Sequence, residues 1–474
     1  SVVLAGKIKI QPIKNNHVKL DLISSSIALR KEVLNMSSES KTQYWWQYLS
    51  QNNRKENLEC SALIALKAYK NDSSDKARDA LLNSLTYLSR PIMELKHNDY
   101  VIKVLFSPGG KLIASCGWDK SIKIWNSVSY QTKYDLVHDD RIKDAVFSSN
   151  NKYLLSHTGK AATLWNVTNG EKINYIKSAE KIIAVKFSND SKKFLLATEK
   201  TNIFIGNTSD GIINREVTNE SGRIIDISFN KNGKTIPYIA YIAGDNKGKH
   251  NECFLKQIKA SNGKINKIFK LAMPDKNDPQ KSAIVINGFF NADGSHFSIA
   301  TRDNAVYVWN AESGKELKQF KSKSPVEHMA FRNDNKIIVL ITGPYARIYD
   351  IKDGKELLEI SHNDRIFTAV FSVNNNLIAT GSQDGTVRIF DISANREIKR
   401  LTPQKNIYSL SFSPDGKNIA ATHQNNSALV YKLTYDNIEE YACWNIGRNL
   451  TLEEWQKYIG DDIYKELCSI NLIK

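Results

Sequence analysis

The sequence predicts a mainly β fold, a propeller of eight blades, with an N-terminal helical segment and a C-terminal helical tail. Two recurring features carry this reading. A phenylalanine is followed eight times by a short polar turn: FSPGG at Phe106, FSSNN at Phe147, FSNDS at Phe187, FNKNG at Phe229, FNADG at Phe290, FRNDN at Phe331, FSVNN at Phe371 and FSPDG at Phe412. Subtraction gives successive spacings of 41, 40, 42, 61, 41, 40 and 41 residues. A period near forty, with an apolar run on each side of the turn, marks a unit of about four short strands that cannot bury its own face and must stack on its neighbours. The second feature lies about nineteen residues after most of these turns, where a strand ends in a large aromatic: SIKIWN at Trp125, AATLWN at Trp165, AVYVWN at Trp309, ARIYD at Tyr349, TVRIFD at Phe390 and ALVY at Tyr431.

Together the two anchors resemble the WD-repeat pattern over roughly residues 91–433. The repeat from His97 to Trp125 carries the pattern whole, with His97 before the first strand, Ser115 in the second, Asp119 in the next tight turn and Trp125 in the third. In WD-repeat proteins residues so placed form a hydrogen-bonded chain. Elementary chemistry allows it, because the Asp119 carboxylate can orient the His97 ring while Ser115 links that ring to the Trp125 indole N–H. His362, Thr380 and Asp384 repeat the arrangement with Phe390 in place of the indole donor, whereas Gly159 and Asn425 replace the turn aspartate elsewhere. Recurrence at structural spacing marks these residues as staples and not as catalytic groups.

The blade count follows from the ends of the pattern. The first repeat begins with its inner strand and the last stops after its third, while RPIMELK just before His97 is an unused strand. Residues 91–96 are therefore expected to supply the outer strand of the last blade, leaving no free sheet edge. Seven blades result instead if one divergent unit is not a blade.

Composition narrows the class. At 474 residues the chain can bury a large core and is expected to form two or three units. Neither an apolar stretch approaching the length of a membrane span nor a leader with a basic start and an apolar middle is present, so the sequence reads as a cytoplasmic protein with no membrane attachment. The chain begins with Ser1 and not with Met, as a processed chain or a piece of a larger protein would. Five cysteines, Cys60, Cys116, Cys253, Cys443 and Cys468, are odd in number and contain no CxxC, which indicates neither a zinc site nor a disulfide framework. Cys443 and Cys468 could lie close enough to pair in an oxidising buffer, but reduced thiols are expected in the cytosol. The net charge of +16 comes from lysines scattered through almost every loop, with no dense basic block, so solvated lysine is favoured over a nucleic-acid surface.

Residues 1–53 have no clear fold. Residues 54–90 read as a helical hairpin: Ala62, Ala65, Leu66 and Tyr69 share one face of the first helix, and Ala77, Leu81 and Leu85 recur at steps of four in the second. Residues 434–474 form a helical tail, expected to pack on the propeller or the helix pair. There Thr451 and Glu454 make a capping box, Trp455, Tyr458 and Ile459 share an inward face, and Gly460 ends the helix. The tail motif RNLT-x-x-EW-x-x-Y-x-G-D-x-x-Y, with its flanking cysteines, resembles the segment closing the WD-repeat regions of prokaryotic STAND-type NTPase signalling proteins. The helix pair resembles the segment that precedes the propeller in those proteins. That resemblance implies a sensor and an effector or NTPase, the latter upstream or encoded separately.

The motor itself has no counterpart here. The sequence contains no GxxxxGK[ST] phosphate cradle, no HExxH and no GxSxG, and no cofactor or metal is expected. A working face is suggested by the long interval from Phe229 to Phe290. Its extra residues fall in 244–252 and 273–282, two loops that leave a WD-repeat blade on the same side. Loops on a rigid scaffold carry specificity, and Lys247, Lys249, His250, Lys276 and Lys281 would make this patch basic and suited to an acidic protein partner. The reading is a non-catalytic protein-recognition module, a sensor or scaffold. The alternatives are an enzyme using the central funnel, for which the inner strands offer only Asp144, Asp226 and Glu327 as isolated acids, and a nucleic-acid-binding protein.

Overall fold

The computed structural model describes residues 55–71, 73–200, 202–218, 222–244, 251–274, 283–403, 406–423, 425–434, 437–459 and 463–469. Residues 1–53, Gly460 and all five basic loop residues named above lie outside the described residues. The chain divides into two compact units, residues 89–436 and a second unit formed by residues 1–88 with 437–474.

Residues 93–432 form eight four-stranded antiparallel sheets. The first blade is Val101–Phe106, Leu112–Gly117, Ser121–Asn126 and Thr132–Val137, hydrogen-bonded in that order. Blades two to seven repeat it over 144–177, 182–218, 223–270, 285–321, 328–361 and 366–401. Eight blades are thus present. The divergent unit is one of them, with its second and third strands, Thr235–Ile242 and Glu252–Lys259, lengthened to 8 residues each.

The recurrent Phe-led turn has a local cause. In all eight the fourth residue after the phenylalanine has positive φ: Gly110, Asn151, Ser191, Gly233, Gly294, Asn335, Asn375 and Gly416. Glycine and asparagine tolerate that left-handed conformation best. At Gly294 a Cβ would also run into the Phe229 carbonyl, so the position leaves no room for a side chain. Where serine follows the phenylalanine, its hydroxyl accepts the backbone N–H that opens the second strand, as Ser107 does from Leu112 (3.1 Å), Ser148 from Tyr153 (2.9 Å) and Ser413 from Asn418 (2.8 Å). The turn therefore fixes the register of the inner hairpin through contacts within a few residues. Second strands such as Ile337–Thr342 are then buried along their whole length, while an outer strand such as Ile265–Lys270 is largely exposed.

The ring closes as the sequence suggests. The eighth blade contains Leu410–Phe412, Asn418–His423 and Ser427–Lys432, and its outer strand is Met93–Lys96, from the start of the propeller. The register pairs Met93 with Val430, Glu94 with Leu429, Leu95 with Ala428 and Lys96 with Ser427. The Ile92 N–H extends the ladder by donating to the Val430 carbonyl at 2.7 Å. Leu95, Val101, Val104, Ile113, Trp125, Ala420, Ala428 and Val430 form one apolar cluster across the seam. The backbone N–H groups of Val104 and Phe106 donate to the hydroxyls of Ser409 (3.3 Å) and Ser411 (3.0 Å).

In the other unit the described elements are helices α1 (Lys55–Asn71), α2 (Asp75–Leu85), α3 (Ile438–Ile446) and α4 (Leu452–Tyr458). Ala62, Ala65, Leu66, Leu81 and Leu85 are buried, and Ser74 caps α2 through the Ala77 N–H. Thr451 and Glu454 complete a capping box at α4, which buries Trp455 and half-buries Tyr458 and Ile459. The Arg448 guanidinium bridges Glu59 of α1 (2.7 Å) and Glu454 of α4 (2.7 Å). The Cys60 thiol donates to the same Glu454 at 2.9 Å, and burial pushes its pKa up to about 12. The expectation of five reduced cysteines fails for one pair, since Cys443 and Cys468 are joined in a disulfide with their Cα atoms 5.4 Å apart. The physical reason is Asn449, whose side-chain oxygen accepts the N–H groups of Leu467 (2.9 Å) and Cys468 (2.8 Å) and so folds the C-terminal segment back onto α3.

Two outcomes check this architecture. Leu95→Ala is expected to destabilise the propeller by about 2–5 kcal/mol, because it empties a fully buried site at the seam, while Lys96→Ala changes little. Trp455→Ala is expected to cost the helical unit about 3–5 kcal/mol. Urea unfolding followed by far-ultraviolet circular dichroism reads both.

Candidate protein-interaction face

The residues named from the sequence as a structural chain are brought together. In the first blade His97 Nδ1 lies 3.0 Å from the Asp119 carboxylate and its Nε2 lies 2.7 Å from Ser115 Oγ, while Trp125 Nε1 donates to that oxygen at 2.8 Å. One tautomer satisfies every contact: Nδ1–H donates to Asp119, and Nε2 accepts the Ser115 hydroxyl proton. In the seventh blade His362 holds Asp384 (3.1 Å) and Thr380 (2.8 Å), and Thr386 adds its hydroxyl at 3.0 Å where no indole is available. Burial alone would raise the pKa of Asp119. The Asn98 N–H, the His97 ring and the Ser121 hydroxyl outweigh it, and the carboxyl sits below its ordinary value.

Two variants of this chain escaped the sequence reading. The second blade has Gly159 in place of the aspartate, yet His138 keeps its chain by donating Nδ1–H to the Leu136 carbonyl (2.9 Å), with Nε2 2.8 Å from Ser156 and Trp165 Nε1 donating to Ser156 at 3.2 Å. In the third blade Glu180 stands in for the histidine, accepting the Thr198 hydroxyl at 2.5 Å. The signal that finds both is the constant separation of 18 residues from the loop residue to the second-strand hydroxyl.

These chains hold the turns between second and third strands against the loops that enter each inner strand, so both sets of loops emerge on one face. The roots of the two long extensions lie at this face. Their basic residues lie outside the described residues, but their roots do not. Asn251 accepts from the Gly244 N–H (2.8 Å) and from the Tyr241 hydroxyl (3.0 Å), closing the base of the first extension. The Ala283 N–H donates to the Met273 carbonyl at 2.7 Å, closing the second. The Leu271 N–H donates to the Cys253 carbonyl at 2.9 Å and ties one root to the other. Tyr241, Cys253, Leu271, Met273, Ala283 and Val285 share one buried cluster beneath them. Arg223 lies over the Tyr241 ring at 5.5 Å.

The three acids of the inner strands are all engaged. Asp144 is paired with Lys103, Asp226 accepts the Phe290 N–H at 2.9 Å, and Glu327 pairs with Arg365 at 2.6 Å. They belong to three different blades, each with its own partner. Among the described residues no group of three or more His, Cys, Asp or Glu side chains is placed to hold a metal, and no helix is long and apolar enough to cross a membrane.

Residues 89–126, 354–391 and 395–432 match the WD domain, G-beta repeat. The chain carries WD40 repeats. It is similar to eukaryotic translation initiation factor 3 subunit I of Kluyveromyces lactis, with 22% identity over 282 residues covering 54% of this chain and 74% of that protein. It is also similar to small ribosomal subunit protein RACK1 of Drosophila melanogaster, with 31% identity over 110 residues, 22% of this chain and 35% of that protein. Among solved structures, the C-terminal WD40 domain of Sif2 superposes with a TM-score of 0.58 at 14% identity, over 74% of this chain and 99% of that one. The computationally designed Ika8 protein gives a TM-score of 0.56 at 16% identity, over 73% and 99%. At these identities the two structures speak for the fold alone.

The histidine chains of the WD40 propeller have a pH consequence. Burial lowers the pKa of His138 to about 4, against about 6.5 for a free imidazole. Between those values the unfolded chain binds a proton that the folded one refuses, so this part of the stability is complete above about pH 6.5 and is lost as pH falls toward 4. The melting temperature is expected to fall over that window, and less steeply in His138→Gln, as differential scanning calorimetry across pH would show.

Proposed function

We propose that this WD40 propeller is a non-catalytic protein-recognition module that captures a protein partner through the face bearing loops 244–252 and 273–282. The observation that carries the proposal is the common root of the two extensions, which leave a rigid scaffold side by side above one buried cluster. Rigid roots let loops present side chains in a fixed direction, at a lower entropic cost of binding than two unrelated loops would incur. Lys247, Lys249, His250, Lys276 and Lys281 give the patch a basic character that suits an acidic partner. Similarity to a translation initiation factor subunit and to a ribosomal subunit protein supports a role within an assembly.

The finer reading is that the module is the sensor of a prokaryotic-type signalling or defence system whose effector or NTPase lies upstream or in a separate chain. It rests on the tail motif from Arg448 to Tyr464 and on the helix pair before the propeller. The proposed setting is cytoplasmic. A thiol pool there would exchange with the Cys443–Cys468 bridge, so capture is best assayed with and without reductant.

Shortening both loops and replacing Lys247, Lys249, Lys276 and Lys281 by Ser should leave the melting temperature within the range of exposed substitutions, about 0.5 kcal/mol in stability. Capture of the partner from source lysate is expected to drop. Equal recovery by the variant would place binding elsewhere, and recovery lost only after nuclease treatment would favour nucleic acid.

A further inference from the structure

The lysines that look scattered along the chain are not all scattered in space. On the opposite face of the propeller, at the junction of the third and fourth blades, two adjoining clefts of about 310 and 440 Å³ share Lys193, Ala260 and Ser261 as walls. Four cations from four different strands or turns line them. Lys193 opens the strand Lys193–Thr198, Arg215 lies on Ile213–Thr218, Lys234 sits in the Phe-led turn of the fourth blade, and Lys259 ends Glu252–Lys259. The remaining polar lining includes the neutral Asn207, Asn214 and Asn266, and no carboxylate is among the lining residues.

Two of the four cations are held in place from within. The Lys193 ammonium donates to the Ala260 carbonyl at 3.2 Å, and Arg215 donates to the Asn214 carbonyl at 2.7 Å. Ala260 is itself fixed by its N–H to the Lys234 carbonyl at 2.9 Å. None of the four makes an ion pair among the described residues. The charge of Asp190 is felt by Lys193, but its carboxylate makes no ion pair with it and is held by the Ser188 hydroxyl (2.6 Å) and the Lys192 N–H (3.0 Å). Like charges repel one another around each cleft, Lys193 with Arg215 in one and Lys193 with Lys234 and Lys259 in the other, at an energetic cost that a bound anion would remove.

We propose that this paired cleft binds a small ligand carrying two or more phosphate groups. Its volume falls in the range of small-molecule sites, about 300–1,000 Å³. Arg215 supplies a planar fork for phosphate oxygens and the lysines supply point charges. Convergence of the cations on two adjoining clefts that share Lys193, not along a stripe, separates this site from a nucleic-acid track, which spaces its cations along a backbone.

The test uses the full chain and inorganic tripolyphosphate as the probe, by isothermal titration calorimetry at low salt. Saturable one-to-one binding is expected, and Lys234→Glu with Lys259→Glu should weaken it about tenfold or more, with an intermediate loss in the Lys234→Met, Lys259→Met pair. Both pairs change exposed side chains, so an unaltered melting curve is the control on folding. The Ser variant of Lys247, Lys249, Lys276 and Lys281 should bind as wild type does, which keeps this site separate from the partner-binding face. Absence of saturation, equal binding by both variant pairs, or equal affinity for orthophosphate and sulfate would overturn the proposal. So would a single-stranded oligonucleotide that binds more tightly than tripolyphosphate and is lost in the same variants.

Discussion

Four backbone pairings between Met93–Lys96 and Ser427–Lys432 hold the two ends of a chain of blades together, and the remaining blades depend on that junction. A blade exposes an apolar face on each side, so an open row of eight would leave two such faces and an unpaired strand edge in water. Joining the ends removes both. Leu95 and Val430 from the joining pair enter the same core as Val104 of the first blade and Ala420 of the eighth. The strand that closes the ring comes from the very start of the propeller, which makes the last blade a non-local structure. Its closure cost is a single loop entropy spread over the whole ring.

The same physics explains what the sequence disclosed. Local rules were legible because they act over a few residues: the left-handed position four after each phenylalanine, the serine hydroxyl that opens a second strand, the capping box at Thr451 and Glu454. The seam was legible because its two halves each lacked a partner. The chain His97–Ser115–Trp125 was legible because its spacing repeats. What stayed hidden depended on backbone groups or distant partners. No side chain announces that the Leu136 carbonyl takes the place of an aspartate for His138. The separation of 25 residues between Cys443 and Cys468 carries no signature until Asn449 folds the segment back.

Charge shows the limit of linear reading most directly. A net charge of +16 spread over a chain looks uniform, yet the ring gathers some of its cations at one junction between blades. Lys193 and Lys259 are 66 residues apart by subtraction and line one cleft, because the start of a second strand in the third blade lies beside the end of a third strand in the fourth. The acids of the inner strands are spread by the same geometry, so Asp144, Asp226 and Glu327 neutralise or cap local partners in separate blades. A propeller can thus carry different chemistry on its two faces without a change in architecture, and the proposed partner capture and the proposed anion binding draw on different loops.

The claim on which the account rests is that residues 93–96 are an integral strand of the eighth blade. Hydrogen–deuterium exchange of the native full chain, read by mass spectrometry on peptides spanning 91–97 and 427–432, tests it directly. Slow, matched exchange is expected in the two peptides, comparable to that of the second strands of other blades. Complete exchange of residues 93–96 within seconds, while 418–423 stays protected, would contradict it.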